Sequence, residues 1–171
     1  MTDKVLLTKV GDVGMVTLSN PPVNALSQEV RKGLLDAFSK AESDDSIKAI
    51  ILMGADRTFS AGADISEFGK SSLEPALPMV CQTIESTTKP VIAAITGVAL
   101  GGGFELAMAS HYRMATNSTK VGLPEVHLGL IPGAGGTQRL PRIVGPKLSL
   151  EMITSGKPIK AKKALAEGLI D

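Results

Sequence analysis

The sequence is poor in cysteine, in aromatic side chains and in net charge, and each shortage excludes a class of protein. Cys81 is the one cysteine among 171 residues, so no internal disulfide forms and a reducing compartment is the simpler expectation. Four Phe, one Tyr and no Trp leave little for base stacking, and 18 basic against 17 acidic residues give a net charge of +1. We therefore expect no nucleic acid partner.

Long apolar runs and clusters of metal ligands are also missing. No run reaches the roughly 18 apolar residues of a membrane helix, because Thr96 and Gly97 interrupt the longest candidate. The amino terminus has no apolar stretch behind a basic start, so we expect neither a secretory signal nor a membrane partner. One Cys and two His predict no metal site. Apolar residues at 43% and charged residues at 20% are typical of a soluble globular domain.

The first fifty residues predict a hairpin followed by a helix. Two short strands, 5–10 and 15–19, flank a glycine-containing turn. Two prolines make 20–26 a loop, after which Ser27 is expected to cap a helix that runs to about Ser43. Its apolar residues recur every three or four positions and form one stripe: Val30, Leu34, Ala37, Phe38 and Ala41.

Two apolar strands that end in glycine-containing turns are the organising pattern of the chain. The runs 49–53 and 91–95 are too short for helices and predict buried strands. Each is followed by a turn that opens a helix, near residue 65 and near Gly102. Since ligands of parallel sheets bind beyond the strand ends, we expect the two turns to face one crevice. The pattern leaves open that the glycines only allow helix and sheet to approach closely.

The remaining elements are shorter. We expect a mobile loop at 69–78, a helix at 79–87, short strands at 112–115 and 120–122, and helices at 137–143, 146–154 and 160–167. We interpret Lys160, Lys162 and Lys163 as a solvated helix face.

Two glutamates stand in surroundings that are apolar or rich in glycine. Glu105 lies in the first turn of the helix after Gly101–Gly103, and Glu125 lies in the segment 122–129. A carboxylate in such a place is paired, shifted in pKa or catalytic. The glycines do not form a phosphate-binding loop, because Phe104 and Glu105 follow where Lys and Ser or Thr are required. His111 and His127 have no Ser or Cys in an activating motif nearby, so we interpret both as structural.

Three segments resemble the enoyl-CoA hydratase/isomerase (crotonase) family: 59–65, 97–107 and 124–140. The segments 20–26 and 111–113 are most similar to the hydratase module at the amino terminus of multifunctional β-oxidation enzymes. The resemblance implies an α/β fold, a spiral of ββα repeats, as one core domain over 1–171. The C-terminal helical region would begin at about 146–171, and the rest of the family's C-terminal helical segment would be missing.

The resemblance also implies residue roles. Glu105 would take a proton from the water that attacks C3, and Glu125 would protonate C2. The N–H groups of Ala63 and Gly102 would form the oxyanion hole, and the backbone at Gly133 would help to hold the water. The residues implied to bind substrate or coenzyme A are Ser60, Ala61, Asp64, Ile65, Gly101, Pro124 and Gly133, with the adenine pocket at the loop of Ser60 and Ala61.

The implied function is hydration of 2-trans-enoyl-CoA thioesters to 3-hydroxyacyl-CoA in fatty-acid β-oxidation. No cofactor is expected besides the coenzyme A of the substrate. The two glutamates favour a hydratase, while a Δ3,Δ2-enoyl-CoA isomerase and a non-catalytic binding module remain as alternatives. We expect a homo-oligomer or a covalent fusion to a 3-hydroxyacyl-CoA dehydrogenase, located in the cytoplasm of a bacterium or the peroxisome of a eukaryote.

Family hydratases continue with a helical segment beyond the position of Asp171. We therefore expect weak activity or abnormal association of the chain, and apolar surface at Leu148, Leu150, Ile153 and Leu165.

Overall fold

The computed structural model describes residues 4–69 and 73–171. Eight strands and five α-helices form within these residues. Their order and bounds are β1 Val5–Val10, β2 Val13–Leu18, α1 Gln28–Ser43, β3 Ala49–Gly54, α2 Leu77–Glu85, β4 Val91–Ile95, β5 Val98–Leu100, α3 Gly102–Ala109, β6 Tyr112–Ala115, β7 Lys120–Gly122, α4 Gly136–Ser155, β8 Ile159–Lys160 and α5 Ala161–Ala166. Short 3-10 turns lie at Ile65–Glu67 and Glu125–Leu128.

Five strands form one sheet in the order β1-β2-β3-β4-β6, and β5-β7-β8 form a second, smaller sheet. The hairpin β1–β2 is antiparallel, whereas β2, β3, β4 and β6 run parallel to one another. The carboxyl ends of β3 and β4 therefore lie at the same edge of the sheet. This parallel arrangement places the turns that follow the two strands side by side.

The strongly periodic elements form where the sequence predicts them. The Ser27 side chain accepts the Val30 N–H at the start of α1, and the helix ends at Ser43. Its predicted apolar stripe is buried in full. In β3 burial alternates along the strand, so Ile50 and Leu52 face the core while their neighbours are half-buried. Alternate burial is what the two faces of a strand require.

Several boundaries differ from the prediction. The strands β5 and β8 were not predicted, because runs of three and two residues show no periodicity. The expected loop at 69–78 ends early, since α2 begins at Leu77 with Pro78 in its first turn; its residues 70–72 lie outside the described part. The helices expected at 137–143 and 146–154 are joined in α4 with a break at Gly145, whose φ is 78° and ψ is 166°.

The core lies between the large sheet and the helices. Three of the four phenylalanines, Phe38, Phe59 and Phe104, are fully buried there. Of the four apolar residues expected at the surface, Leu150 and Leu165 are exposed, whereas Leu148 and Ile153 pack partly buried against the core. No helix among the described residues is long and apolar enough to cross a membrane.

A buried arginine on α1 fastens the segment that leads to α2. The Arg31 guanidinium donates to the carbonyls of Leu26, Leu73 and Pro75 at 2.7–2.9 Å. It also forms an ion pair of 2.8 Å with Glu67, and only 9% of its side chain is exposed. One guanidinium thus donates to three carbonyls and one carboxylate oxygen. A charge buried in this way is costly unless it is fully paired.

Replacing Arg31 by Met should therefore lower the free energy of unfolding by about 3 kcal/mol, because Glu67 would lose its ion-pair partner and the carbonyls would lose this donor. Urea unfolding measures the change. The matched control is Lys32→Met, which removes an exposed cation from the same helix and should cost less than about 0.5 kcal/mol. Equal losses in the two variants would contradict the assigned contacts.

Candidate active site

The two predicted glycine turns pack directly against each other. The Phe59 N–H donates to the Thr96 carbonyl at 2.9 Å, and the Ser60 N–H donates to the Val98 carbonyl at 3.1 Å. The Leu100 N–H donates to the Ser60 carbonyl at 3.0 Å. This short ladder extends the contact beyond the ends of β3 and β4. The expectation that the two turns face one crevice is confirmed.

A mostly apolar cavity of about 330 Å³ opens beside these turns. Nine of the eleven residues singled out from the sequence line it: Ala61, Ala63, Ile65, Gly101, Gly102, Glu105, Pro124, Glu125 and Gly133. The lining residues that sequence reasoning missed are Gly62, Phe68, Leu77, Pro78, Leu128, Leu130, Ile131 and Ala134. Most of the missed residues are apolar, and an apolar side chain in a loop carries no sequence signal that separates cavity wall from core.

Two backbone N–H groups meet in one wall of the cavity. Gly102 is the first residue of α3, where an N–H has no acceptor within the helix. A Cβ added to Gly102 would lie 3.5 Å from the Ala63 nitrogen, which places the two groups beside each other. Neither N–H donates a hydrogen bond to any described residue. Both are therefore available to one acceptor atom of a bound molecule.

The backbone at Gly62 makes this close approach possible. Its φ is +108°, which side chains other than glycine rarely adopt. A Cβ there would lie 2.8 Å from the Leu100 carbonyl and 3.3 Å from the Gly102 nitrogen. A larger residue would thus separate the two turns and spread the N–H pair.

Glu105 is buried on α3, with 2% of its surface exposed. Its Oε1 atom accepts the Ala134 N–H at 2.7 Å and the Gly136 N–H at 2.8 Å. Burial raises the pKa of this carboxyl, while the two N–H groups and the nearby Arg139 charge oppose the rise. Two donors on one oxygen stabilise the ionised form. The contacts therefore suit a carboxylate that accepts a proton.

Glu125 begins a 3-10 turn that borders the cavity. Burial is the largest cause that raises its pKa, to about 7, and the Glu105 charge adds to the rise. Its Oε2 atom is buried and has no hydrogen-bond partner among the described residues. A carboxyl with this pKa carries its proton about half of the time at neutrality. The two glutamates thus have different environments at one cavity.

Ser60 and Asp64 do not line the cavity. The Ser60 side chain is fully buried, donates to the Asn24 carbonyl and accepts the Gly62 N–H, so its hydroxyl shapes the turn. Asp64 caps the 3-10 turn by accepting the Ser66 N–H. Both side chains thus have structural contacts, and binding of coenzyme A by their loop stays a prediction.

The loop between the 3-10 turn and α4 carries functional groups that the sequence did not reveal. Its Ala134 and Gly136 N–H groups hold Glu105, whereas only Gly133 in this loop was singled out from the sequence. Gly133 is exposed at the cavity wall. The available signal was a glycine-rich loop at a helix start, where free N–H groups can donate to a carboxylate.

The two histidines have no part in the cavity wall. The His111 ring accepts the Val91 N–H at 2.9 Å, as a structural histidine does. His127 is exposed and its ring packs near Gly156, where an added Cβ would lie 2.6 Å from Nε2. The interpretation of His111 as structural is confirmed, and that of His127 stays a prediction.

Comparison with solved structures places the fold in the crotonase class. An enoyl-CoA hydratase from Thermoplasma volcanium superposes with a TM-score of 0.92 and 36% sequence identity, covering 98% of this chain and 70% of that one. The expected crotonase-like α/β fold is therefore confirmed. A sequence profile described as enoyl-CoA hydratase/isomerase matches residues 8–171. The chain belongs to the enoyl-CoA hydratase/isomerase family.

Two curated relatives share 49% identity with this chain. One is the peroxisomal bifunctional enzyme of Danio rerio, matched over 93% of this chain and 22% of the relative. The other is a probable enoyl-CoA hydratase of Bacillus subtilis, matched over 92% of this chain and 64% of the relative. The chain thus spans less than a quarter of the first and less than two thirds of the second. The expected resemblance to multifunctional enzymes is confirmed.

The raised pKa of Glu125 predicts a pH-dependent stability. A carboxyl with a pKa of about 7 in the fold and 4.5 when unfolded stabilises the fold in its protonated form, so this contribution is present below pH 4.5 and is lost as the pH rises to about 7. In Glu125→Gln the free energy of unfolding should therefore fall less between pH 4.5 and about 7 than it does in the wild type. Urea unfolding between pH 4.5 and 8 measures it, with the exposed Glu151→Gln as a control that should follow the wild type.

Proposed function

We propose that this chain catalyses the hydration of 2-trans-enoyl-CoA thioesters to 3-hydroxyacyl-CoA. One observation carries the proposal: two carboxyls with different environments and two unpaired N–H groups border the same cavity. Adding water to a conjugated thioester needs an acceptor for the water proton, a donor to C2 and stabilisation of the thioester oxygen. The four groups correspond to these three needs.

The N–H groups of Ala63 and Gly102 receive the thioester oxygen in this proposal. Negative charge develops on that oxygen when water attacks C3, and donors already in place need no reorganisation. The start of α3 adds the positive end of a helix dipole. The apolar cavity wall strengthens both effects, because electrostatic interactions are stronger where water is excluded.

Glu105 accepts the proton of the attacking water, and Glu125 delivers a proton to C2. The two N–H groups on Glu105 favour its ionised form, while the pKa of about 7 keeps Glu125 protonated in part at neutrality. The water oxygen bonds to C3, the C2=C3 electron pair takes the Glu125 proton at C2, and Glu105 ends protonated. Proton exchange with solvent then restores both carboxyls. No cofactor besides the coenzyme A of the substrate takes part.

The relatives suggest a wider setting. Two multifunctional relatives of Arabidopsis thaliana carry fatty-acid β-oxidation and the peroxisome in their names. We extend the proposal to the hydration step of this route, in the peroxisome for a eukaryotic source and in the cytoplasm for a bacterial one. Fusion to a 3-hydroxyacyl-CoA dehydrogenase, or assembly of several copies, belongs to the same proposal.

The hydratase proposal predicts that both glutamates are required. Glu105→Gln and Glu125→Gln should each lower the hydration of crotonyl-CoA by about 10²–10⁴-fold, because each removes one proton transfer. Loss of the conjugated-enoyl absorbance follows the reaction. Glu151→Gln serves as the exposed control and should keep full activity. A wild-type protein that binds crotonyl-CoA without changing its absorbance would favour a non-catalytic binding module.

A side chain at Gly102 should weaken the oxyanion site. The added Cβ of Gly102→Ala would lie 3.5 Å from the Ala63 nitrogen and 2.5 Å from Leu77 Cδ2, and we expect it to obstruct the thioester oxygen. We expect kcat to fall by about 10²–10³-fold. The unfolding midpoint should move little, since the contacted Leu77 atom ends a flexible side chain. Unchanged kcat would contradict the assigned oxyanion site.

A Δ3,Δ2-enoyl-CoA isomerase is the second candidate, favoured by the unpartnered Oε2 atom of Glu125. A carboxyl with a pKa of about 7 is able both to remove a proton from C2 and to return it at C4. With a 3-enoyl-CoA substrate, isomerisation should survive Glu105→Gln and disappear in Glu125→Gln. Appearance of conjugated-enoyl absorbance measures this reaction.

A further inference from the structure

The loop that holds Glu105 has its own anchor. Two N–H groups of this loop, from Ala134 and Gly136, converge on one oxygen of Glu105 within 2.8 Å. Such short contacts require the loop backbone to keep one conformation. Gly135, which lies between them, has a φ of +100° and imposes little restriction by itself. A further contact to the backbone of this loop would therefore add to its order.

Arg139, in the first turn of α4, contacts the backbone of this loop. Its Nη1 donates to the Ala134 carbonyl at 2.9 Å. Its Nε and Nη2 donate to the two carboxylate oxygens of Glu85 on α2, at 3.1 and 2.7 Å. The guanidinium is planar, so the bidentate pair with Glu85 fixes the direction of the third donor. Arg139 does not belong to the described cavity wall.

Ala134 therefore carries two directional contacts on one residue. Its N–H points to Glu105 and its carbonyl receives Arg139. Together these bonds restrict rotation of the backbone on both sides of Ala134. The chain of contacts runs from Glu85 through Arg139 and Ala134 to Glu105.

We propose that Arg139, oriented by Glu85, is a positioning residue that holds the 133–136 loop against Glu105 and keeps this carboxylate ready to accept a proton. The importance of this role for turnover depends on the proposed hydratase function. The contacts themselves do not depend on it. Arg139 acts through the loop, since it makes no contact with the cavity where substrate would bind.

The charges around Glu105 act in the same direction as the geometry. Three groups face it: Arg139 on α4, Cys81 on α2 and Glu125 at the 3-10 turn. Burial raises the pKa of the Cys81 thiol to about 12, so Cys81 is neutral, and the Glu125 charge opposes ionisation of Glu105. Among them only Arg139 favours the ionised carboxylate. Losing it raises the pKa of Glu105 further and moves the acidic limb of the rate profile to higher pH.

The experiment compares four variants by kinetics. Arg139→Met should lower kcat by about 10–100-fold with little change in KM, because the loop and the charge are both lost. Arg139→Lys keeps the charge but loses the planar set of guanidinium donors, so kcat should fall while the acidic limb of the pH–rate profile stays in place. Glu85→Gln alters an exposed carboxylate, 55% accessible, and should lower kcat several-fold without a risk to folding. Arg142→Met is the control on the same helix and should match the wild type.

A second measurement does not require turnover. The pH titration of the Glu105 carboxyl, followed by carbon-13 NMR of labelled glutamate, should shift to higher pH in Arg139→Met and stay unchanged in Arg142→Met. This shift supports the inference even if the wild type proves unable to hydrate crotonyl-CoA, in which case only the proposed function fails. An unchanged titration in Arg139→Met, or a normal kcat in both Arg139 variants, would overturn the inference.

Discussion

The site depends on one compensated burial, that of the Glu105 carboxylate under the start of α4. A carboxylate with 2% exposure is unfavourable unless donors replace its lost water. The Gly136 N–H is a donor that the start of α4 leaves unpaired, and the Ala134 N–H comes from the loop just before the helix cap, so this segment and Glu105 satisfy each other. The same contact closes the loop over α3 and forms one side of the cavity. Packing, loop conformation and ionisation are therefore set together.

Half of the groups available for chemistry are backbone atoms. The N–H groups of Ala63 and Gly102 owe their position to two turns that meet beyond the ends of parallel strands. A parallel sheet brings such turns together without any side chain in common. This explains why the wall that holds the N–H pair needs glycine at positions 62 and 102. The two carboxyls, in contrast, come from glutamate side chains. The fold supplies one half of the site and the side chains supply the other.

The sequence predicted what is local and periodic. The extent of α1, the strands β3 and β4, and the place of Glu105 and Glu125 at one cavity followed from apolar spacing and from polar residues in apolar surroundings. The anchoring contacts did not, because they join distant positions: Arg31 meets carbonyls more than 40 residues away, and Arg139 meets Glu85 across 54 residues. The backbone partners of the Ser60 hydroxyl were not predictable either, since a hydroxyl in a turn looks the same from the sequence whether it faces a ligand or the backbone.

The single cysteine has a consequence for experiments on this protein. Cys81 is fully buried on α2 beside Glu105, and its thiol stays neutral at physiological pH. Alkylating reagents react with the thiolate, so they modify Cys81 only when α2 separates from the core. The labelling rate therefore measures how often this helix separates from the core. The native chain carries a built-in reporter of local unfolding at the helix that holds Glu85, with no competing thiol elsewhere in the sequence.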